Sequence, residues 1–555
     1  MLRMIHKFYI KVIIFSLTFF LVIPAQSQND FEVAKNVDIF VSILKELNAK
    51  YADEISPGTL TKTAIDAMLE SLDPYTVYYP ESQIEEFKLM TTGQYGGIGA
   101  LIQQYGNDVV ISEPYENSPA AEAGLLAGDR ILKINNQSTE GKNSNDVSTI
   151  LKGEPGTNIS LEVERKGTDK PLTFNITRKE IKLPNIPYYG ILEHHIGYIK
   201  LDQFTDNAGN EVKEAFLKLK EQGMDYLILD LRNNGGGLLN EAVNIMNIFV
   251  DQNIIIAETK GKIKEQTNVY KTRYPVVDKH IPVVVLVNNL SASASEIVSG
   301  AFQDLDRGVI VGKKTYGKGL VQNIVPLSYN TTLKMTVSKY YIPSGRCVQN
   351  IDYFNKDSLN NSSYIPDSLA TPFKTLNGRT VYDKGGIEPD VITPDTIASN
   401  ILVALVMNNL IFDYANQFYA SHPTILSAEK FVINDAIYND FLSFLTNKDY
   451  SYITDSEELL KELKEAAMVE KYFSAIESLY KEITDKIAKE KSIDLIKFKD
   501  EISQYLGSEI AVRYYYQKGR IINSLTSDPD VKYAKDILLD QSKYKAILSG
   551  KKLNN

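Results

Sequence analysis

Two short stretches, SASASEI from Ser291 to Ile297 and GKKTYGKGLVQ from Gly312 to Gln322, hold the residue types in this chain most able to do chemistry. The first is a small-residue turn carrying three hydroxyls, those of Ser291, Ser293 and Ser295. The second presents Lys318 between Gly317 and Gly319. A hydroxyl is a poor nucleophile until a base takes its proton, and a lysine held neutral serves as that base. An exposed lysine titrates near ~10.4, so the role demands burial, which lowers that value. The five histidines and the single cysteine, Cys347, lie in no comparable turn. These residue types predict a Ser/Lys hydrolase, with the three serines equivalent on chemistry alone.

Acyl transfer also needs donors for an oxyanion. A helix beginning near Ser295 aims N–H groups and positive dipole at the serine turn. The turn Asn233 to Gly237 adds more, because glycine adopts the backbone angles that such a turn requires. Ser295 is expected as the helix N-cap, with Glu296 nearby. Glu296 and Asp304 fit catalytic acids and buried hydrogen-bonding or ion-pair roles equally well. Gly312 to Lys318 also satisfies G-x-x-x-x-G-K, but Gly319 stands where a phosphate-binding loop has the Ser or Thr that ligates magnesium. The nucleotide reading is therefore set aside. No metal-ligand cluster stands out, and no cofactor is expected.

SASASE with TYGKGxxQ resembles the carboxy-terminal processing, or tail-specific, proteases. Further motifs follow in that family's order: LDPYTVYY (Leu72 to Tyr79), GGIGALI (Gly96 to Ile102), SPAAEAGLLAGDRILKINN (Ser118 to Asn136), DLRNNGGGLL (Asp230 to Leu239), YYIPSGRCVQ (Tyr340 to Gln349) and GGIEPDV (Gly385 to Val391). The resemblance implies that Ser293 is the nucleophile. It implies that Lys318, 25 residues later, is the general base and that Gln322 orients the lysine. The implied oxyanion donors are the N–H of Ala294 and of a glycine in the triple run, Gly237 foremost and Gly236 beside it. It also implies a PDZ domain. There Gly96, Gly97, Ile98 and Gly99 would turn N–H groups towards a terminal carboxylate. The adjoining strand from Ala100 and Leu101 would pair with an extended peptide. Ile98, Leu101 and Ile102 would favour apolar side chains on that peptide.

The elements that must position these groups are read from periodicity. Phe40, Ile43, Leu44 and Leu47, then Ala64, Met68, Leu69 and Leu72, recur at helical spacing on either side of Pro57-Gly58. Their apolar face must pack on something, and a second copy of the chain is favoured. From Gly96 short β runs alternate with turns. Ile196 to Leu201, Tyr226 to Leu231 and Val283 to Val287 are β-branched apolar runs of the kind found in buried parallel strands. Helical segments lie between them, the pattern of a βαβ crossover core. Residues 353–379 read as a surface loop. No glycine or proline occurs between Pro423 and Gly507, which favours long helices. Val469, Phe473, Ile476, Tyr480, Ile483 and Ile487 follow a coiled-coil spacing, and the tail is expected to pack on the core rather than stand free as an arm.

The fold class expected is a mixed α/β multidomain protein. It comprises a signal peptide (1–27), an N-terminal helical segment (28–95), a PDZ domain (96–180), a crotonase-like βαβ Ser/Lys protease core (181–400) and a C-terminal helical region (401–555). Arg3, Lys7 and Lys11 precede the apolar run Val12 to Ile23, and Ala25-Gln26-Ser27 offers a cleavage site. The enzyme is thus expected to be exported to the periplasm or cell envelope, or membrane-associated where that segment is retained. A net charge of −10 excludes nucleic acid as partner. The expected partners are C-terminal tails of proteins, with a homodimer or an adaptor protein beside them. One rival is a catalytically silent PDZ scaffold. A second, an acyl-CoA lyase or hydratase on the same core fold, is disfavoured by the signal peptide and the PDZ domain.

Overall fold

The computed structural model describes residues 25–355, 362–383, 385–395 and 397–550. The first 24 residues, which carry most of the expected signal peptide, lie outside them, as does the middle of the expected loop 353–379, at 356–361. The described chain forms two units, divided after Tyr78. In the first, helix α1 (Ala25–Lys50) and helix α2 (Pro57–Glu70) flank a break. Ser56 accepts from the amide of Thr59 and Pro57 occupies the first turn, where its missing N–H costs nothing. Phe40 and Ile43 of α1 are exposed. Among the described residues no helix is long and apolar enough to cross a membrane.

The second unit opens with helix α3 (Ile84–Thr92) and strand β1 (Gln94–Gly97), which pairs antiparallel with β7 (Lys179–Lys182). Between them β2 (Ala100–Tyr105), β3 (Asp108–Pro114), β4 (Arg130–Ile134), β5 (Asn158–Glu164) and β6 (Leu172–Thr177) form an antiparallel sheet in chain order. Strand β5 shows why: Ile159, Leu161 and Val163 alternate inward with polar neighbours and join Ile98, Ile111 and Ile131 in one core. Short helix α4 (Pro119–Ala123) and α5 (Ser144–Leu151) close it. This is the PDZ domain, and β2 stands at the sheet edge.

The core sheet runs β8 (Tyr188–Leu192), β9 (Ile196–Lys200), β10 (Tyr226–Asp230), β13 (Val283–Val287), β14 (Val309–Gly312) and β17 (Val391–Ile392); all pairs after the first are parallel. Both faces are buried, so the strands read as continuous apolar runs. Ile199, Leu227, Leu229, Val283, Val285 and Ile310 pack under α6 (Ala208–Glu221), α7 (Leu239–Phe249) and α8 (Ala294–Asp304). The alternate residues Ile196, Tyr198, Ile228, Val284, Leu286 and Val309 meet the C-terminal tail: Val531, Ala534, Ile537 and Leu538 of helix α15 (Pro529–Leu539), and Tyr544 of α16 (Gln541–Leu548). A second sheet of β11 (Ile255–Gly261), β12 (Asn268–Lys271), β15 (Leu320–Pro326) and β16 (Thr332–Tyr341) carries the lysine region.

Helices α9 (Asn400–Met407), α10 (Leu410–Ser421), α11 (Asp435–Phe444) and α14 (Lys499–Leu525) build a further core around Leu405, Tyr414, Phe441 and Leu506. The expected coiled-coil seam is broken. Lys471 turns left-handed between α12 (Asp455–Val469) and α13 (Phe473–Lys491), so Val469 falls on a different helix from Phe473. The two helices pack as a hairpin, with Lys464 over the Phe473 and Tyr480 rings. The helical region also grips the PDZ domain. Arg520 of α14 donates to Glu113 at 2.9 Å, and Tyr105 donates to Asp413 at 2.8 Å. Glu113 is buried, so Arg520→Ala is expected to cost about 2 kcal/mol. A denaturation midpoint that falls in Arg520→Ala and partly recovers in Arg520→Ala with Glu113→Gln would show it; an unchanged midpoint would refute it.

Candidate active site

Two strand-turn-helix corners meet at the C-terminal ends of β10 and β13, where parallel sheets characteristically place ligands. Their turns are stitched together. Asn233 and Asn288 exchange hydrogen bonds at 2.9 and 2.7 Å, and Asn234 accepts from the amide of Ala292 at 3.0 Å. The Ser291 hydroxyl donates to the Leu231 carbonyl and the Ser295 hydroxyl to the Asn234 carbonyl, each at 2.8 Å. Both serines are 0% exposed. Ser293 is the one of the three partly open to solvent. It sits at φ 56°, ψ −113°, a costly conformation for a residue with a Cβ, and it rather than Ser295 caps α8. Strain of this kind persists only where the surroundings over-determine it, and here they do.

The chief restraint is Glu296, fully buried in the first turn of α8. One carboxylate oxygen accepts from the Thr315 hydroxyl (2.6 Å) and the Gly317 amide (2.7 Å); the other accepts from the amides of Lys318 (2.8 Å) and Ser293 (2.9 Å). Burial pushes its pKa up to about 7, against the downward pull of those hydrogen bonds. Tyr340, also buried, donates to the Lys318 carbonyl at 2.7 Å and to the Ser293 carbonyl at 3.2 Å. Serine and lysine loops are thus braced against each other by one carboxylate and one phenol. Lys318 is partly buried, at the foot of β15. Gln322 follows a register shift in the β15–β16 ladder, a bulge of the kind that re-aims a side chain, and its amide donates to Thr336 at 3.2 Å.

The closing motifs support the lysine loop. Gln349 accepts from the Gly319 amide at 2.7 Å, and Thr315 accepts from the Ile387 amide at 2.6 Å. Arg346 forms a buried pair with Asp304 at 2.8 Å, which gives that aspartate an ion-pair role. Gly317 is left-handed, and a Cβ there would lie 3.1 Å from the Gly386 amide.

The glycine turn faces Ser293. At Gly236, with φ +97°, a Cβ would stand 2.8 Å from the Ala294 amide nitrogen. Gly236 differs from the expectation, because its N–H already donates to Asn234 at 2.9 Å and is not open to an oxyanion. The N–H groups of Gly237 and Ala294 have no hydrogen-bond partner among the described residues. Sequence reasoning missed Asn234, whose side chain holds the glycine turn to Leu201 and Gly236 and whose backbone carbonyl takes the serine loop, and Tyr340, whose hydroxyl joins the Ser293 and Lys318 loops. The Asn-Asn doublet beside the glycines was the signal for the first.

In the PDZ domain Gly96 to Gly99 are buried ahead of the edge strand β2. The Gly96 N–H donates to Glu85 at 2.9 Å, so it is not open to a peptide carboxylate. Ile98 lies in the core rather than lining a groove. The N–H groups of Ile98 and Gly99 have no partner among the described residues, and Leu101 is 45% exposed beside Ala100. No cluster of His, Cys, Asp and Glu able to hold a metal occurs among the described residues.

A model described as peptidase family S41 matches residues 195–358, a PDZ-domain model matches 110–165, and the C-terminal helical domain of probable PDZ-proteases matches 401–538. The carboxy-terminal-processing protease of Bartonella bacilliformis is 35% identical over 338 residues, 60% of this chain and 77% of that one. A probable CtpA-like serine protease of Staphylococcus epidermidis is 34% identical over 308 residues, 55% of this chain and 62% of that one. Among solved structures, the photosystem II D1 C-terminal processing protease is 26% identical, covering 64% of this chain and 92% of that one at a TM-score of 0.34. The family models and the Bartonella bacilliformis relative define the class, a serine protease carrying a PDZ domain. The chain belongs to the carboxy-terminal-processing protease family of peptidase family S41.

Proposed function

We propose that this protease cuts peptide bonds by a Ser/Lys mechanism in exported proteins whose apolar C-terminal tails its PDZ domain binds. Ser293 Oγ attacks the scissile carbonyl while its proton passes to Lys318 Nζ. Gln322 helps to position the lysine amine. The tetrahedral oxyanion takes hydrogen bonds from the N–H groups of Ala294 and Gly237. Lys318 returns the proton to the leaving amine, and water, deprotonated by the same lysine, hydrolyses the acyl-enzyme. The observation that carries this reading is the pair of free N–H groups beside a strained, partly open Ser293, on a turn braced to the Lys318 loop. In the PDZ domain the N–H groups of Ile98 and Gly99 take the tail carboxylate and β2 pairs with the tail. Export through residues 1–27 to the periplasm, and a second copy or an adaptor as partner, complete the proposal. The exposed apolar face of α1 supports a second copy.

The test offers the chain an unstructured reporter ending in apolar residues, its twin ending in charged residues, and a serine-directed phosphonate. Cleavage of the first in preference to the second, with the phosphonate on Ser293, supports the reading. Tail binding without cleavage or label points instead to the silent scaffold.

A further inference from the structure

Arg232 stands at the root of the glycine turn, and three carboxylates surround its guanidinium. Two belong to the C-terminal tail. Its Nε and Nη2 donate to Asp230, with Nη2 at 2.6 Å. Nη2 also meets Asp528 at 2.8 Å, while Nη1 donates to Asp528 at 3.0 Å and to Asp530 at 3.1 Å. Asp230, 1% exposed, already has Arg232 and the Tyr198 hydroxyl (2.7 Å) as partners, and Lys200 lies 3.7 Å away. Asp230 already supplies Arg232 with a buried counter-charge, so balancing the guanidinium does not require the two tail carboxylates. Docking α15 does not require them either, since its apolar face is buried on the sheet. What they add is direction. A planar guanidinium clamped from two sides has one orientation, and it fixes the backbone at Arg232. The next residue, Asn233, is left-handed, and Gly237 follows at φ +150°. Such a turn has little slack.

We propose that Asp528 and Asp530 are positioning residues for the protease reaction: through Arg232 they hold the glycine turn so that the Gly237 N–H meets the oxyanion. The inference rests on the oxyanion role proposed above. It gives the C-terminal helical region a part in the chemistry as well as in packing.

The test is the double variant Asp528→Asn, Asp530→Asn in the full chain. Asparagine keeps the cap that Asp528 provides to the Val531 amide (3.1 Å), so α15 is retained. Two readouts are taken. Hydrogen exchange at the amides of Asn234, Gly236 and Leu238, each hydrogen-bonded in the parent, is expected to speed up at least tenfold, with amides of β10 unchanged. On the tailed reporter kcat is expected to fall ten- to a hundredfold with KM little changed, within the range for a weakened oxyanion donor. Asp530→Glu should restore most of it. Unchanged exchange at the turn overturns the proposal whether or not the parent cleaves. Faster exchange with full kcat also overturns it. A parent that never cleaves defeats the proposed mechanism instead, and exchange then still reports whether the tail holds the turn.

Discussion

Ser293→Ala and Lys318→Ala are each expected to lower kcat by roughly 10⁴-fold or more, and the double variant to do no worse than either alone, because the two groups act as one unit. The serine supplies the atom that bonds to the carbonyl carbon; the lysine removes its proton and later returns it. With either missing, the other has nothing to do. The residual rate then comes from binding and from the oxyanion donors at Ala294 and Gly237. Lys318→Arg separates base from charge. A guanidinium stays protonated at any working pH, so Lys318→Arg should be as inactive as Lys318→Ala. Single-turnover cleavage of the tailed reporter measures each rate, and the tail's affinity for the PDZ domain should stay at the parent value in all four variants. Activity above a hundredth of the parent in Lys318→Ala would mean that another group takes the proton.

The parts of this site that lie within a few residues of one another were legible in the chain. The small residues around Ser293 and the glycines around Lys318 announce their backbone needs through composition alone. The buried strands did likewise, since a run such as VVVLV suits only a strand covered on both faces. What did not show was anything settled by distant contacts. Ser295 looks like a cap by residue type, yet the two turns pull its hydroxyl to the Asn234 carbonyl and force Ser293 into the capping position. Gly236 and Gly237 are alike as letters and differ because Asn234 folds back on the first. The apolar spacing from Val469 to Ile487 ignores the break at Lys471, which no residue type there demands. Arg232 meets Asp528 only because α15 docks on the far face of the sheet.

Glu296 is where geometry and titration meet. All four of its partners donate to it, so the carboxylate is complementary to its site and the acid is not: a proton added to either oxygen faces an N–H or an O–H. Burial nonetheless raises its pKa from an ordinary 4.5 to about 7. Between those values the unfolded chain has lost the proton and the folded chain keeps it, so stability falls as pH rises through this window, by up to about 3 kcal/mol. Activity should move the other way. Above about 7 the carboxylate forms and pulls the Ser293, Gly317 and Lys318 amides into register. Glu296→Gln removes the titration and turns an NH₂ towards two donors, leaving both unsatisfied at about 1–3 kcal/mol each. Its kcat is expected to drop by roughly 10²- to 10³-fold. The component near pH 7 should vanish from its acid limb, and the decline of stability between pH 5 and 7 should flatten. Kinetic and denaturation profiles across pH, taken on parent and Glu296→Gln, check both directions. Superimposable profiles would show that the carboxylate braces the loops without gating them.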